Sequence, residues 1–206
     1  MRIVCISDTH EKHRQVQLPA GDILIHAGDL TWTGKPESTL DFIAWFKDQP
    51  FKHKIFICGN HDFYFEHTKN KAPFVRDGIY FLLNSGALID QKIKIWGSPY
   101  TPEFMNWAFM GRPDEMRDMW TGIPDGLDIL ITHGPPFGIL DQTTGGDRAG
   151  CRELLKALEY KKPKLHIFGH IHEGYGISKH NGTTFINASL CNEDYNLVNK
   201  PVVVNI

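Results

Sequence analysis

Five short β-branched runs, each ending in a cluster of polar residues, constrain this chain more than any other feature. They are Arg2–Ser7, Asp22–His26, Lys54–Cys58, Asp128–Thr132 and Lys164–Phe168. Near-continuous apolar runs of this length fit strands buried on both faces, as in a parallel sheet covered by helices. Helical patterns lie between them. One follows Thr33-Gly34-Lys35, has Pro36 near its first turn, carries Leu40, Ile43, Ala44 and Phe46, and stops before Pro50. Another runs from about Gly150 to Tyr160, with Leu154, Leu155 and Leu158 on one face and Pro163 just beyond. Proline is tolerated in the first turn and ends a helix it cannot continue. Strands alternating with helices imply βαβ units and a largely parallel central sheet.

The last third changes character. Gly176–His180 and Thr183–Ala188 flank Asn181-Gly182, a pair suited to the positive φ angles of a type I′ hairpin. Ala87–Ile89 and Lys92–Trp96 suggest a second hairpin. The expected class is therefore α/β with an antiparallel portion, arranged as two packed sheets. A length of 206 residues without low-complexity stretches suits a single domain over 1–206. The segment Gly21–Asp29 also echoes Leu127–Pro135 in composition, each delivering a polar residue at a strand's carboxyl end.

The clusters carry the chemistry. They read Asp8-Thr9-His10, Gly28-Asp29, Gly59-Asn60-His61-Asp62, Thr132-His133-Gly134 and Gly169-His170-Ile171-His172. Ligands of open α/β sheets bind at the carboxyl ends of the strands, where all five would converge. Oxygen donors (Asp8, Asp29, Asn60) mix with imidazoles (His10, His133, His170, His172), without cysteine. Such a set suits manganese, iron or zinc and differs from thiolate-rich structural zinc sites. It exceeds what one tetrahedral ion needs and suits two divalent ions sharing a carboxylate, the device used for in-line displacement at phosphorus. Asp29, alone behind its glycine, is the expected bridge. Residues i and i+2 of an extended segment point the same way, roughly 6.6 Å apart. On that basis His170 and His172 would straddle the pair, and Asp8 and His10 would face inward together. Among the other histidines, His13, His53, His67 and His180 are expected to be exposed. His26 and His166 fall within strands, where His26 could support Asp29.

Charge and hydropathy remove other classes. A net charge of −2 and the lack of a basic run argue against a protein that coats long nucleic acid. No run of about 18 apolar residues could span a membrane, and the N-terminal apolar run stops at Ser7-Asp8, too soon for a signal peptide. Cys5, Cys58, Cys151 and Cys191 form no CxxC pair and read as buried, reduced thiols. A cytoplasmic location is the expectation.

Taken together, Asp8-x-His10, Gly28-Asp29, Gly59-Asn60-His61-Asp62, His133 and Gly169-His170-x-His172 resemble the full motif set of the calcineurin-like metallophosphoesterases, over residues 1 to about 190. Gly21–Asp29, Thr132–Pro136, Gly150–Leu155 and His170–Gly176 more narrowly resemble the metallophosphoesterase-domain branch, which is similar to class III cyclic nucleotide phosphodiesterases. The resemblance implies a four-layer α/β/β/α sandwich of two mixed sheets, with the metal site at the carboxyl ends of the strands. It implies that Asp8, His10, Asp29 and His172 hold one ion, and Asp29, Asn60, His133 and His170 the other. His61 would be the non-ligand histidine beside the scissile phosphate, oriented by Asp62, which stands where relatives often have Glu. Some members of the branch lose the first histidine of Gly-His-x-His. His170 is intact here, which points to an active enzyme.

The expected activity is two-metal hydrolysis of a small phosphodiester, cyclic nucleotides included, by a metal-bridging hydroxide, with manganese the first metal to try. The alternatives are a phosphomonoesterase or protein phosphatase on the same metals, and a metal-binding module with little turnover. Trp32, Phe63, Tyr64 and Trp107 are candidates for stacking a base, and Arg148 for holding phosphate at a helix start.

Overall fold

A computed structural model describes residues 1–68 and 78–206. The first three apolar runs become β1 (Arg2–Ile6), β2 (Ile23–Ala27) and β3 (His53–Ile57), and all their residues are buried except Arg2. Successive side chains of a strand point to opposite faces, so full burial requires a partner layer on both sides. Ile3, Cys5, Ile23, Ile25, Ile55 and Ile57 face a second sheet, while Val4, Ile6, Leu24 and Phe56 face helices.

The first sheet has the order β13-β1-β2-β3-β4, completed by β4 (Ile79–Phe81) and β13 (Val202–Asn205). Only β13 runs antiparallel. The second sheet comprises β5 (Ser85–Ile89), β6 (Ile93–Ser98), β9 (Ile129–Thr132), β10 (Leu165–Phe168), β11 (Gly176–His180) and β12 (Thr183–Asn187), in the order β11-β12-β10-β9-β6-β5. Its centre is parallel and both edges are antiparallel hairpins. The β11–β12 turn has Asn181 at φ 48° and Gly182 at φ 85°, the two left-handed residues of the expected type I′ turn. A short pair, β7 (Thr101–Pro102) and β8 (Met110–Gly111), lies outside both sheets.

Helices α1 (Pro36–Asp48) and α2 (Phe63–His67) cover the first sheet through Phe42, Trp45, Phe46 and Phe65. Helices α3 (Pro113–Thr121) and α4 (Arg152–Lys161) cover the second through Met116, Trp120, Leu154 and Leu158. The result is the α/β/β/α sandwich of two mixed sheets, its central layer an isoleucine-rich seam. In α1 the apolar stripe is rotated from its expected position, for Leu40 is 55% exposed and Trp45 takes its place in the core. Among the described residues, no helix is long and apolar enough to cross a membrane.

Two histidines expected at the surface are buried. His13 Nε2 lies 3.0 Å from Asp41, and His53 Nε2 lies 3.0 Å from Asp90. Each ring packs against apolar neighbours while a partly exposed carboxylate satisfies its edge.

His166, within β10, has a consequence for stability. The Thr132 hydroxyl donates to the Gly134 carbonyl at 2.7 Å, so His166 Nε2–H donates to Thr132 Oγ1 at 2.8 Å. Among the described residues, Nδ1 is left as a buried lone pair without a partner. Protonating it would bury an unpaired cation, and burial pushes His166 down to about 3. A depressed histidine contributes stability that is present above its unfolded value, near 6.5, and is lost progressively as pH falls from there toward the folded one. Between pH 7 and pH 5 this group alone should cost about 2 kcal/mol. In denaturant unfolding, His166→Gln should shrink the loss between those pH values by about that amount. An unchanged loss would show that His166 does not carry the effect.

Candidate metal centre

The clusters converge where the sheets meet, but not by the pleat of an extended strand. Asp8, His10, Asp29 and His170 all have positive φ, at 54°, 41°, 55° and 68°. His172 opens a short 3-10 turn. The strands therefore end before the donors begin, and tight left-handed turns aim the side chains. This corrects the i, i+2 argument, although its expected inward direction stands. Glycines make the closeness possible. A Cβ on Gly169 would sit 2.0 Å from Asp8 Oδ2, one on Gly59 would sit 2.2 Å from Asp29 Oδ1, and one on Gly28 would sit 2.4 Å from His133 Nδ1.

Asp29 is central. Its Oδ2 lies 3.3 Å from His133 Nε2, 3.7 Å from His10 Nε2 and 4.0 Å from His61 Nε2, while Oδ1 accepts the His61 backbone N–H at 2.9 Å. Among the described residues, donor atoms converge in three groups: Asp8, His10 and His172; His10, Asp29 and His61; and Asp29, His133 and His170. Asn60 joins the last through Oδ1, 2.9 Å from His133 Nε2. The structure thus gathers Asp8, His10, Asp29, Asn60, His61, His133, His170 and His172 into one centre, with Asp29 shared between two of the groups.

Asp62 behaves differently from expectation. It makes no direct bond to the His61 ring, whose Nδ1–H donates to the Trp32 carbonyl at 2.7 Å. Instead, Asp62 accepts the N–H groups of Gly59, Leu30 and Thr31 and the Thr31 hydroxyl. It clamps the Asp29–Trp32 turn against the Gly59–Asp62 turn, and so acts on the His61 ring through the backbone that carries Trp32. Burial foremost, then the charge of Asp29, pushes Asp62 up to about 6 against those hydrogen bonds.

Residues 1–174 match the family described as "Calcineurin-like phosphoesterase". The chain belongs to this family. It is 40% identical over 230 residues to metallophosphoesterase domain-containing protein 1 of Homo sapiens, covering 100% of this chain and 71% of that protein. It is 39% identical over 219 residues to UPF0046 protein K07C11.7 of Caenorhabditis elegans, covering 100% and 75%. Among solved structures, TT1561 of Thermus thermophilus has the same fold, with a TM-score of 0.64 at 12% identity over 90% of this chain and 88% of that one.

Calcineurin-like phosphoesterases carry divalent metal ions, and the donor set here fits them. His133 and His172 donate Nδ1–H to the carbonyls of Ala27 (3.0 Å) and Asn192 (2.8 Å), the outer bond that fixes a ligating imidazole. Their Nε2 atoms then point inward. His133 Nε2 meets the carbonyl-type oxygen of Asn60, and His172 Nε2 meets His10 Nε2 at 3.4 Å. Lone pairs facing each other this closely need a proton or a cation between them. The pocket favours positive charge accordingly. Burial alone would lower His133, but the charge and hydrogen bond of Asp29 push it up to about 9. Burial would also lower His172, yet Asp8 holds it at about 9. Burial would raise both carboxyls, but the facing imidazoles hold Asp8 and Asp29 well below the usual range. By contrast, burial pushes His10 and His170 down to about 4.

The remaining candidates separate cleanly. His26 donates to Thr9 Oγ1 at 2.9 Å and accepts from Gly28 N, so it supports the turns and not Asp29 itself. Arg148 is committed to buried Asp141 at 2.8 Å and is not held ready for phosphate. Trp107 lies over His61, with ring centroids 4.3 Å apart, and Trp32 is 41% exposed beside it. Phe63 packs behind Trp107, and Tyr64 packs into the helical layer. Sequence reasoning missed Tyr195, whose ring meets those of His10 and His172. It lies beyond the family match, in a segment with no periodic pattern to announce it.

Proposed function

We propose that this protein is a phosphodiesterase for small esters. Asp8, His10, Asp29 and His172 would hold one divalent transition-metal ion, and Asp29, Asn60, His133 and His170 the second. Bound there, such ions supply Lewis acidity toward phosphoryl oxygens and an activated water. Manganese, iron and zinc all suit the mixed oxygen and imidazole donors.

The observation that carries the diester reading is the charge of the pocket wall. The cavity above the centre, about 340 Å³, is lined by Asp29, Asn60, His61, Phe104, Met105, Trp107, Met110, His170, His172, Glu173, Glu193 and Tyr195. Among the described residues, that lining contains carboxylates but neither lysine nor arginine. A monoester dianion usually meets such side chains, arginine above all. A diester carries a single negative charge and needs less compensation beyond the ions. The volume lies at the low end for small-ligand sites, which favours a compact substrate over a protein or a long nucleic acid.

The chain's own residues then have distinct tasks. Asn60 reaches the pocket beside His133 and would steady a phosphoryl oxygen. His61, with its Nδ1 proton committed to Trp32, presents Nε2 toward the centre and would deliver a proton to the departing alkoxide. Trp107 and Trp32 shield that exchange from water.

Manganese-supplemented protein should hydrolyse bis-p-nitrophenyl phosphate at least tenfold faster than p-nitrophenyl phosphate, as a roughly 1.4 kcal/mol penalty on the dianion requires. Cyclic nucleotides are the next substrates to assay. Faster monoester cleavage would overturn the diester reading.

A further inference from the structure

The Tyr195 loop is held more firmly than a surface turn needs. An isolated bridge between Cys191 and Leu197 closes it. The Tyr195 N–H donates to the Asn192 carbonyl at 2.8 Å, and Asn192 Oδ1 accepts the Asn196 N–H at 2.8 Å. The Lys12 ammonium donates to the Tyr195 carbonyl. Tyr195 itself has φ 62°, a left-handed conformation that a bulky residue adopts only where its surroundings impose it. Such enforced conformations concentrate where a side chain must be aimed.

Here the aim is into the pocket. The Tyr195 ring is edge-on to His10 at 4.9 Å, to His172 at 5.2 Å and to Trp32 at 4.5 Å, all between ring centroids. Neighbouring rings thus fix its orientation, and it still lines the cavity that Asp29, Asn60 and His61 also line. Among the described residues its hydroxyl bonds to no protein group, so the hydroxyl does not explain the placement. What the placement offers is a rigid aromatic surface beside the cluster of candidate metal donors.

We propose that Tyr195 contacts the substrate, receiving a planar aromatic substituent of the ester and setting a preference for such esters over small alkyl ones. The proposal rests on the phosphoesterase reading of the same pocket, and stacking on an aromatic side chain is the interaction it invokes. The Tyr195 ring is a specificity surface and takes no proton in the reaction.

The test is binding, which does not depend on turnover. Phenyl phosphate and methyl phosphate are titrated calorimetrically into the manganese-loaded full chain, as wild type, Tyr195→Phe, Tyr195→Leu and Tyr195→Ala, with metal content read by elemental analysis. Wild type and Tyr195→Phe should bind phenyl phosphate about tenfold tighter than methyl phosphate, the low end of a stacking contact. Tyr195→Ala and Tyr195→Leu should lose that ratio while methyl phosphate affinity holds. Leucine preserves bulk against His10 and His172, so it decides the matter if the alanine variant sheds metal. A wild type without phenyl preference, a ratio that survives in Tyr195→Leu, or loss of both ligands together in that variant would overturn the proposal. Failure of the diesterase reading would look different: no hydrolysis of bis-p-nitrophenyl phosphate, with the phenyl preference intact.

Discussion

Replacing His61 with alanine should lower turnover of a diester by about 10²–10⁴-fold while both metals stay bound. The ring is ready for proton transfer. Its Nδ1–H is fixed on the Trp32 carbonyl, which leaves Nε2 as the working atom, and Trp107 at 4.3 Å and His10 at 4.7 Å hold the imidazole plane. Removing it deletes a group needed mainly as charge builds on the leaving oxygen, so kcat should fall more than KM rises. The geometry also supplies the rival, since His61 forms a donor group with His10 and Asp29. Metal counted by elemental analysis separates the two roles. An alanine variant that binds one ion fewer would make His61 a ligand and end its assignment as the proton donor.

The second large effect belongs to Asp29→Asn. Asparagine keeps the shape and tolerates the left-handed φ of 55°, so the turn should survive. The amide removes the charge that three imidazoles face and on which two donor groups depend. Outer partners of metal ligands already cost 10–100-fold in affinity when lost, and a shared ligand should cost at least about 100-fold. Metal titration followed by elemental analysis should therefore find the variant below two ions at concentrations that saturate the wild type. Two tightly held ions and turnover within tenfold of wild type would remove Asp29 from the centre.

Much of this was legible because burial on both faces leaves a strong mark. Ile3, Ile25, Ile55, Ile131 and Ile167 announce strands, and a donor can only follow where such a strand ends. The runs and hairpins pointed to two packed sheets, the four-layer order was implied by the family resemblance, and Asn181-Gly182 marked its own turn. What was hidden is instructive. The aim of Asp8, His10, Asp29 and His170 comes from left-handed backbone, which tertiary hydrogen bonds impose and no periodicity encodes. Asp8 N, for instance, donates to the Gly28 carbonyl at 3.0 Å, a partner remote in the chain and in another turn. Asp62 was misread for a similar reason. Adjacency to His61 suggested a direct partner, but Leu30 and Thr31, far away in sequence, offered it better donors. His13 and His53 look like surface residues until Asp41 and Asp90 fold against them. Helix α3 escaped notice because its apolar residues, Met116 and Trp120, are sparse among charges.

The seam between the sheets has one more consequence. Asp8, His10, Asp29 and Asn60 follow strands of one sheet, and His133, His170 and His172 follow strands of the other. Neither sheet carries the whole set of candidate donors, and the glycines that bring the halves together tolerate no added carbon. A chain with one sheet formed and the other undocked presents only half a shell. On the proposed ligand assignment, ion capture would therefore wait for the two sheets to dock and would report that assembly has finished.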